Sequence, residues 1–269
     1  MGQHTSSGRV TRSKPLATYD ERVPTLQTPP AELNKDSSVI AARFDRIARR
    51  YDRVNDVVSG GQARMWRKAT VAAVAPTPGL KVLDLAGGTG TSASPLAASG
   101  AHVTVCDISN GMLEVGRGRF PHINFVQGDA LALPFDDGAF EVATVSFGLR
   151  NVRDPALALR ELARVVQPGG RLVVTEFSHP RNAALRVAYQ PYLRYVLPSV
   201  AGVITGDRDT YEYFAESIQQ WPRQQELAQM MEDSGWQNAR YRDLTGGIVA
   251  LHEANRPGWP PALEIGGAR

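Results

Sequence analysis

The residues of this chain that are best placed to do chemistry lie in and around a glycine-rich loop. Lys81–Leu85 is apolar apart from its two charged residues, the loop Ala86–Gly90 follows it, and Asp107 lies 20 residues after Gly87. A buried strand, a loop that lets the backbone approach a ligand, and a carboxylate at the end of the next strand are typical of a nucleotide-type cofactor site. The spacing therefore predicts such a site.

The charge of Asp84 distinguishes between two cofactors. Gly88, Gly90 and Ala93 satisfy the dinucleotide fingerprint, and Asp107 stands where a ribose-binding acid is expected, so NAD is one alternative. A pyrophosphate on this loop would meet the like charge of Asp84, whereas a cofactor with an ammonium and a sulfonium group would be attracted. The arrangement favours S-adenosylmethionine over NAD.

The elements that must position these residues follow the pattern of a doubly wound α/β fold, in which apolar runs of strand length alternate with helical segments. The predicted strands are Lys81–Leu85, His102–Asp107, Asn124–Gln127, Val142–Ser146 and Arg171–Phe177. A helix over Pro155–Val166 is expected to end at a turn formed by Pro168, Gly169 and Gly170. Two more strands, 241–244 and 248–252, are predicted to form a closing hairpin around Thr245-Gly246-Gly247.

Outside this alternation, the sequence predicts two tails, two leading helices and one insertion in a single domain of residues 37–254. Residues 1–36 are polar and lack a periodic apolar face, which predicts a disordered tail without a secretory signal, and residues 255–269 are predicted as a second tail. Apolar residues recur at helical spacing from Val39 to Val54, and a second helix is expected over 63–75. The insertion 178–233 is too long for an ordinary connection and predicts a lid or substrate-binding element.

Charge, cysteine and histidine content argue against several classes of function. The chain has 30 Lys and Arg against 27 Asp and Glu, a net charge of +3 that does not indicate nucleic-acid binding. Cys106 is the single cysteine, which excludes an internal disulfide and suits a reducing cytoplasm. The five histidines are scattered without the spacing of a ligand set, so no metal is expected. No apolar run reaches the roughly 18 residues of a membrane span.

Ligands of open α/β sheets bind beyond the carboxyl ends of the strands, where four of the predicted loops converge. Thr89 offers a hydroxyl and an amide to the methionine part of the cofactor, and Asp107 would accept both ribose hydroxyls. Asp129 would accept from the adenine amino group, with Ser146 beneath the cofactor. The candidate cofactor-binding residues are Asp84, Gly87, Gly88, Thr89, Gly90, Asp107, Asp129, Ala130 and Ser146. A turn or capping role is the alternative for each of them, but that alternative does not explain well why such residues occur at the ends of four neighbouring strands.

Three further blocks carry a resemblance to a known family. They are Ser146–Val152, Tyr211–Ile218 with the following Trp221-Pro222, and Leu244–His252. Together with the shorter motifs Phe44-Asp45, Arg50-Tyr51-Asp52 with Asn55, and Trp66-Arg67, they resemble the menaquinone and ubiquinone biosynthesis C-methyltransferases. The resemblance implies a class I SAM-dependent methyltransferase fold, with a seven-stranded, mostly parallel sheet and a C-terminal antiparallel hairpin. It also implies C-methylation of demethylmenaquinol to menaquinol, the last step of menaquinone biosynthesis.

The resemblance also assigns cofactor contacts, and one position departs from the pattern. The family contacts fall on Thr89, Asp107, Asp129, Ala130 and Ser146. Thr91 occupies a place where many members carry Asp after the glycine loop, whereas Asp84 is retained. The contacts at the methionine end of the cofactor are therefore the ones this chain is expected to make differently.

Methyl transfer to a ring carbon needs a developing phenolate, because the carbon attacks a sulfonium methyl well only when a neighbouring hydroxyl loses its proton. The acceptor should therefore be the reduced quinol. Arg150, close after the fourth strand, is the candidate to stabilise that phenolate, with Asn151 orienting it. A structural salt bridge is the alternative for Arg150. Tyr51 and Tyr211 are candidates for contact with the quinol, and packing is their alternative.

A lipid-tailed substrate also needs an apolar path. The segment 183–204 is apolar, tyrosine-bearing and basic, and it is predicted either to line an isoprenoid channel with peripheral membrane contact or to pack as a lid. An NAD-dependent oxidoreductase and a noncatalytic cofactor- or quinone-binding component remain as alternatives. The sequence leaves open naphthoquinol against benzoquinol, the tail length, and a homo-oligomeric state.

Overall fold

The structure is a computed structural model that describes residues 33–258. Most of the predicted N-terminal tail and residues 259–269 of the predicted C-terminal tail lie outside the described residues. The strands are β1 Lys81–Leu85, β2 His102–Asp107, β3 Asn124–Gln127, β4 Phe140–Ser146, β5 Val166–Phe177, β6 Gln237–Leu244 and β7 Val249–Asn255. The helices are α1 Ser37–Ile47, α2 Tyr51–Val58, α3 Gln62–Val74, α4 Ala93–Ala97, α5 Asn110–Arg119, α6 Pro155–Val165, α7 Ala183–Pro191, α8 Leu197–Thr205, α9 Arg208–Gln219 and α10 Gln224–Asp233.

The seven strands form one sheet in the order β3-β2-β1-β4-β5-β7-β6. All neighbouring pairs are parallel except those of β7, which runs antiparallel to both β5 and β6. The predicted seven-stranded, mostly parallel sheet with an antiparallel C-terminal hairpin is confirmed. Because the strand order reverses between β1 and β4, a crevice opens at their carboxyl ends, which is where such sheets bind ligands.

Both faces of the sheet are covered by helices, as parallel sheets require. Leu83 and Leu85 point into a core shared with α6 and α10, whereas Val82 points into the core formed with α3, α4 and α5. A third cluster lies above the carboxyl ends of the strands and joins α1 and α2 to α7, α8 and α9. The functional crevice is therefore bounded below by strand ends and above by helices.

Several predicted boundaries differ from the structure: for example, β4 begins at Phe140 and β6 at Gln237, both before the predicted starts. The helix predicted to end at Val166 ends at Val165, and Val166 already belongs to β5 because it pairs with Phe140 of β4. The expected turn at 168–170 is instead an irregularity inside β5, where Gly169 has φ +78°. Ile248 lies in the turn before β7 rather than in the strand. Sequence periodicity cannot reveal these element boundaries, since they depend on where two strands begin to pair.

The single apolar pattern from Val39 to Val54 corresponds to two helices, α1 and α2, separated by a turn at residues 48–50. The helical spacing of apolar residues continues through the turn because Ile47 and Val54, on either side of it, are buried in the same cluster.

The insertion 178–233 consists of two parts that make different contacts. Helices α7 to α9 cover the crevice, whereas α10 packs against α6 and β6 on the side of the sheet. Within residues 33–258, no helix is long and apolar enough to cross a membrane.

Candidate functional site

A cavity of about 380 Å³ lies at the carboxyl ends of β1, β2 and β4, under the helices of the third cluster. Of the sequence candidates, the cavity is lined by Tyr51, Gly87, Gly88, Thr89, Asp107, Asp129, Ala130, Ser146, Arg150, Asn151 and Tyr211. Two candidates, Asp84 and Gly90, are absent from its lining. The fold thus brings residues from positions 51 to 211 into one site.

The glycine loop begins with a sharp reversal at the end of β1. Ala86 and Gly88 both have positive φ, of +52° and +56°. At Gly87 a side chain is excluded because a Cβ would lie 2.7 Å from Oδ2 of Asp84. Gly90 also has positive φ, but a Cβ there would meet the Phe125 ring at 2.8 Å, on the side away from the cavity. Gly90 therefore shapes the loop and does not face the cavity.

Asp84 is fully buried directly behind Gly87. Neither carboxylate oxygen of Asp84 has a hydrogen-bond partner among the described residues. Burial, and secondarily the neighbouring Asp107 carboxylate, raise the pKa of Asp84 to about 7. A buried carboxylate without a partner is destabilising unless a positive charge comes close to it. This orphaned group fits a cationic cofactor resting on the loop and disfavours a pyrophosphate.

Asp107, at the end of β2, is buried and lines the cavity. Its Oδ2 accepts the N–H of Gly88 at 2.9 Å, and its Oδ1 accepts the N–H of Ser109 at 2.9 Å. Burial is the main cause that raises the pKa of Asp107, to about 6. The two backbone donors fix the orientation of the carboxylate and leave further lone pairs for a ligand hydroxyl.

The ends of β3 and β4 supply the other side of the pocket. Asp129 accepts the N–H of Leu131 on Oδ1 at 2.9 Å, and the hydroxyl of Ser37 on Oδ2 at 2.7 Å. Ser37, the first residue of α1, lines the cavity and was not anticipated from the sequence. The Ser146 hydroxyl is buried and has no partner among residues 33–258. It is therefore available to a ligand.

The glycine loop is tied to α2 through Asp52. Oδ2 of Asp52 accepts hydrogen bonds from the hydroxyls of Thr89 at 2.8 Å and Thr91 at 2.9 Å. The same oxygen receives Nη1 of Arg119 at 2.5 Å, from the end of α5. The hydroxyl predicted to be offered by Thr89 is thus already donated to a carboxylate. Sequence reasoning had included Asp52 only in a family motif and had given it no role.

Arg150 lies in a 3-10 turn after β4 and is 1% exposed. Its Nη1 pairs with Oε1 of Glu176 at 2.9 Å, and Nη1 also donates to the Phe147 carbonyl. Its Nε donates to the Ser217 hydroxyl at 3.3 Å. The salt bridge that was the alternative interpretation is present, and Arg150 nevertheless lines the cavity. Its charge is balanced, so what it offers a ligand is a directed donor rather than a net charge.

Two aromatic rings hold the guanidinium of Arg150 in place. Its Cζ lies 5.1 Å from the centroid of Phe177 and 5.5 Å from that of Phe214. Guanidinium groups stack favourably on aromatic faces. Phe214 belongs to α9, so this helix helps to fix the arginine. Neither Glu176 nor the two rings were identified from the sequence, because nothing in their local pattern distinguishes them from ordinary core residues.

The remaining sequence candidates, Asn151, Tyr211 and Tyr51, also line the cavity. Oδ1 of Asn151 accepts the Tyr213 hydroxyl at 3.2 Å, so its orientation is fixed. The Tyr211 hydroxyl is buried without a partner among the described residues, and burial raises its pKa. Burial also raises the pKa of Tyr51. The Tyr211 hydroxyl is therefore a neutral polar group in an otherwise apolar region, which suits contact with a ligand.

The part of the cavity away from the glycine loop is aromatic and apolar. Trp66 packs against Phe147 and Phe177, with ring centroids 5.6 and 6.1 Å apart, and its Nε1 donates to Thr245 Oγ1 at 2.8 Å. The segment 183–204 contributes Tyr189 and Tyr192, whose rings are stacked at 6.0 Å. The cavity therefore has a polar, acidic end at the strand termini and an aromatic end under α7 to α9.

Comparison with known proteins agrees with this arrangement. The model of the ubiE/COQ5 methyltransferase family matches residues 32–256. Demethylmenaquinone methyltransferase of Paenarthrobacter aurescens is 51% identical over 84% of this chain and 90% of its own length. The enzyme of the same name from Mycolicibacterium paratuberculosis is 52% identical over 84% of this chain and 98% of its own.

Solved structures agree on the fold alone. A SAM-dependent methyltransferase from Thermotoga maritima superposes with a TM-score of 0.57 at 21% identity, covering 80% of this chain and 99% of that one. Identity this low carries no information about the substrate, since one fold supports many activities. The match of the family model over nearly all of the described residues, together with relatives about half identical, decides the question. The chain belongs to the ubiE/COQ5 methyltransferase family.

Proposed function

We propose that this protein is an S-adenosylmethionine-dependent C-methyltransferase that converts demethylmenaquinol to menaquinol, the last step of menaquinone biosynthesis. The observation that carries the proposal is the two-ended cavity. An unpartnered buried carboxylate, Asp84, lies behind the glycine loop at one end, and stacked aromatic rings line the other. A cationic methyl donor fits the first end, and an aromatic quinol with an apolar tail fits the second.

The residues at the acidic end are suited to hold and orient the cofactor. Asp107 has lone pairs for ribose hydroxyls, Asp129 and Ala130 border the adenine side, and Ser146 offers a free hydroxyl. Bound there, S-adenosylmethionine supplies a methyl group on a sulfonium. The chain contributes alignment of the acceptor and exclusion of water, which together account for much of the rate in such transfers.

At the aromatic end, we assign to Arg150 the stabilisation of the phenolate that develops on the quinol. Its Nε and Nη1 are occupied by Ser217, Phe147 and Glu176, and Nη2 makes no hydrogen bond with a described residue. A preorganised N–H donor in a buried site stabilises a developing oxyanion without reorganising. Asn151, held by Tyr213, borders the same region and would orient the ring.

The direct test is turnover. The purified protein is incubated with S-adenosylmethionine labelled on its methyl group and with chemically reduced demethylmenaquinone, and the product is analysed by mass spectrometry. The label is expected on a ring carbon of menaquinol. The oxidised quinone should be inert, because it has no hydroxyl to ionise. Transfer to the oxidised acceptor at the same rate, or oxidation of the acceptor with NAD, would contradict the proposal.

We further propose that the protein takes its lipid substrate at an anionic membrane surface through α7, α8 and the facing end of α2. Val203 is 88% exposed, Val187 71%, Tyr195 60% and Val57 52%. Between Glu176 and Asp207 the chain carries no acidic residue and three arginines, Arg181, Arg186 and Arg194. Exposed apolar side chains beside basic ones are typical of helices that lie in the interface of a bilayer.

Sedimentation with vesicles tests this surface. Val203→Asp should reduce binding to vesicles that contain an anionic phospholipid, because a buried negative charge would oppose insertion. Gln225→Asp, an exposed change on α10 with the same change in charge, serves as the matched control. Equal binding by both variants would remove the surface from consideration, while methyl transfer to a detergent-solubilised quinol would still be expected.

A further inference from the structure

The cluster of hydrogen bonds at Asp52 is more than a link between α2 and the glycine loop. Asp52 lines the cavity, and its side chain is 26% exposed. All three of its hydrogen bonds with described residues end on Oδ2, from Thr89, Thr91 and Arg119. Oδ1 accepts none from residues 33–258. A carboxylate that is fixed through one oxygen and borders a cavity can accept from a ligand through the other.

Asp52 contacts the loop that follows β1, and this location indicates which part of the cofactor it would meet. Asp107 stands at the end of β2 and Asp129 after β3, whereas Thr89 and Thr91 belong to the loop that follows β1. Adenine and ribose are expected over β3 and β2, so the remaining methionine part would lie over the loop. That part carries an ammonium group. The unpartnered Asp84 carboxylate, behind Gly87 in the same loop, points independently to a cation at this place.

We propose that Asp52 is a cofactor-binding residue whose carboxylate accepts the ammonium group of the methionine part of S-adenosylmethionine. The two hydroxyls and the guanidinium orient the Asp52 carboxylate. This assignment rests on the proposed function, since it takes the cofactor to be S-adenosylmethionine.

Arg119 provides a second test of the assignment, because its removal should have the opposite effect on binding from removal of the Asp52 charge. Its guanidinium, 41% exposed, lies on Asp52 and donates to Thr91 Oγ1 at 3.2 Å, but it is absent from the lining of the cavity. If the Asp52 carboxylate binds an ammonium group, Arg119 competes with that group for the same negative charge. Charge-assisted hydrogen bonds of this kind are stronger than neutral ones. Removing Arg119 should then strengthen binding of the ammonium, provided the loop stays ordered.

The experiment compares two neutral thioether ligands by calorimetry. S-adenosylhomocysteine carries the amino-acid part with its ammonium group, and 5′-methylthioadenosine lacks it. Asp52→Asn should lower the affinity for S-adenosylhomocysteine by about tenfold and leave that for 5′-methylthioadenosine within about twofold. Asp56→Asn is the matched control, because Asp56 lies one turn further along α2, pairs with Arg64 and does not line the cavity. Asp107→Asn should weaken both ligands, since both carry the ribose.

Each outcome decides the assignment. Equal losses for the two ligands in Asp52→Asn would show that Asp52 only holds the loop, and no loss would remove it from the site. Should Asp52→Asn fail to fold, Arg119→Gln is measured instead. An increased preference for S-adenosylhomocysteine supports the assignment, and an unchanged or reduced preference overturns it, because Arg119 would then not compete with the ammonium group for the Asp52 carboxylate. Failure of the wild-type protein to bind either ligand would overturn the proposed function as well, whereas binding without an effect at Asp52 would overturn this inference alone.

Discussion

The two ends of the cavity are built on different principles. At the acidic end, which the proposal assigns to the cofactor, Asp84, Asp107 and Asp129 each lie at or next to the end of a strand, so carboxylates accumulate at one edge of the sheet. At the aromatic end, which the proposal assigns to the acceptor, the buried cation Arg150 is neutralised by Glu176 and enclosed by aromatic rings. Under the proposed function, the first end would select by charge. The second would select by shape and by one directed donor, which suits a neutral aromatic molecule that becomes an anion only during the reaction.

The difference also concerns rigidity. Asp84 and Asp107 belong to strands that pair on both sides, and Asp84 is aligned with Val105 of β2 and Thr144 of β4. Much of the aromatic end comes from α1, α2 and α7 to α9, which contact one another through side chains. Elements held together by side-chain packing alone open at a lower cost in free energy than strands within a sheet. We therefore expect the cofactor end to be preformed and the acceptor end to adjust.

The largest effect is expected from breaking the buried ion pair. Arg150→Met leaves the buried Glu176 carboxylate without its cationic partner and with only the backbone N–H groups of residue 150 and Phe177, which should lower the free energy of unfolding by roughly 3 to 5 kcal/mol. Turnover should fall about a hundredfold or more, as when one oxyanion donor is lost. The double variant Arg150→Met with Glu176→Gln should recover much of the stability and none of the turnover. Denaturant unfolding and methyl-transfer rates, measured on both variants, separate the two roles. A double variant with near-normal turnover would leave Arg150 as a structural anchor.

At the cofactor end, the corresponding test is Asp107→Ala. It should weaken S-adenosylmethionine binding by roughly 2 to 4 kcal/mol, on the order of two charge-assisted hydrogen bonds, and should leave the affinity for the quinol nearly unchanged. Calorimetry on the purified variant measures both ligands. If the affinity for the quinol falls as much as that for the cofactor, the two ends are not separate sites and the comparison fails.

Asp84→Asn should act in opposite directions on stability and on binding. In the free protein the ionised carboxylate is buried without a partner, and its pKa is raised to about 7. Since the raised pKa means that ionisation destabilises the fold above the unfolded-state pKa, the neutral amide should increase the free energy of unfolding at pH 8 by on the order of 1 to 3 kcal/mol. The affinity for S-adenosylmethionine should fall. Thermal unfolding with and without cofactor tests both, and a variant destabilised without cofactor would show that Asp84 has a structural partner.

The smallest effect is the pH dependence of cofactor affinity. A bound cation favours the ionised form of Asp84, so the pKa of Asp84 should fall on binding, and affinity should rise as pH increases through about 7. Between pH 6 and pH 8 the expected change is on the order of tenfold. Asp107, with a pKa near 6, should add a further decrease in affinity below that value. Calorimetry over this range should show the upper step in the wild-type protein and no such step in Asp84→Asn.

The cofactor end was largely predictable from the sequence. An acid that ends an apolar run and is followed by glycines can be placed at a strand terminus, and parallel strands bring their carboxyl ends to one edge. Asp107, Asp129 and Ser146 were located in this way, and all three line the cavity. Gly90 was assigned to ligand contact along with its neighbours. Its role in accommodating Phe125 depends on a ring contributed by β3, which local sequence does not show.

The acceptor end was decided by tertiary structure. The sequence identified Arg150 as a charged residue near a strand end, but the charge that balances it comes from Glu176, 26 residues later, and the rings that hold it come from two other elements. Likewise, Asp52 reaches Thr89 and Thr91 only because α2 lies over the loop. What the sequence determined by itself is the set of residues that local chain geometry places at strand ends. Pairing between distant segments, which depends on how the helices pack over the sheet, decided which charges remain free to act.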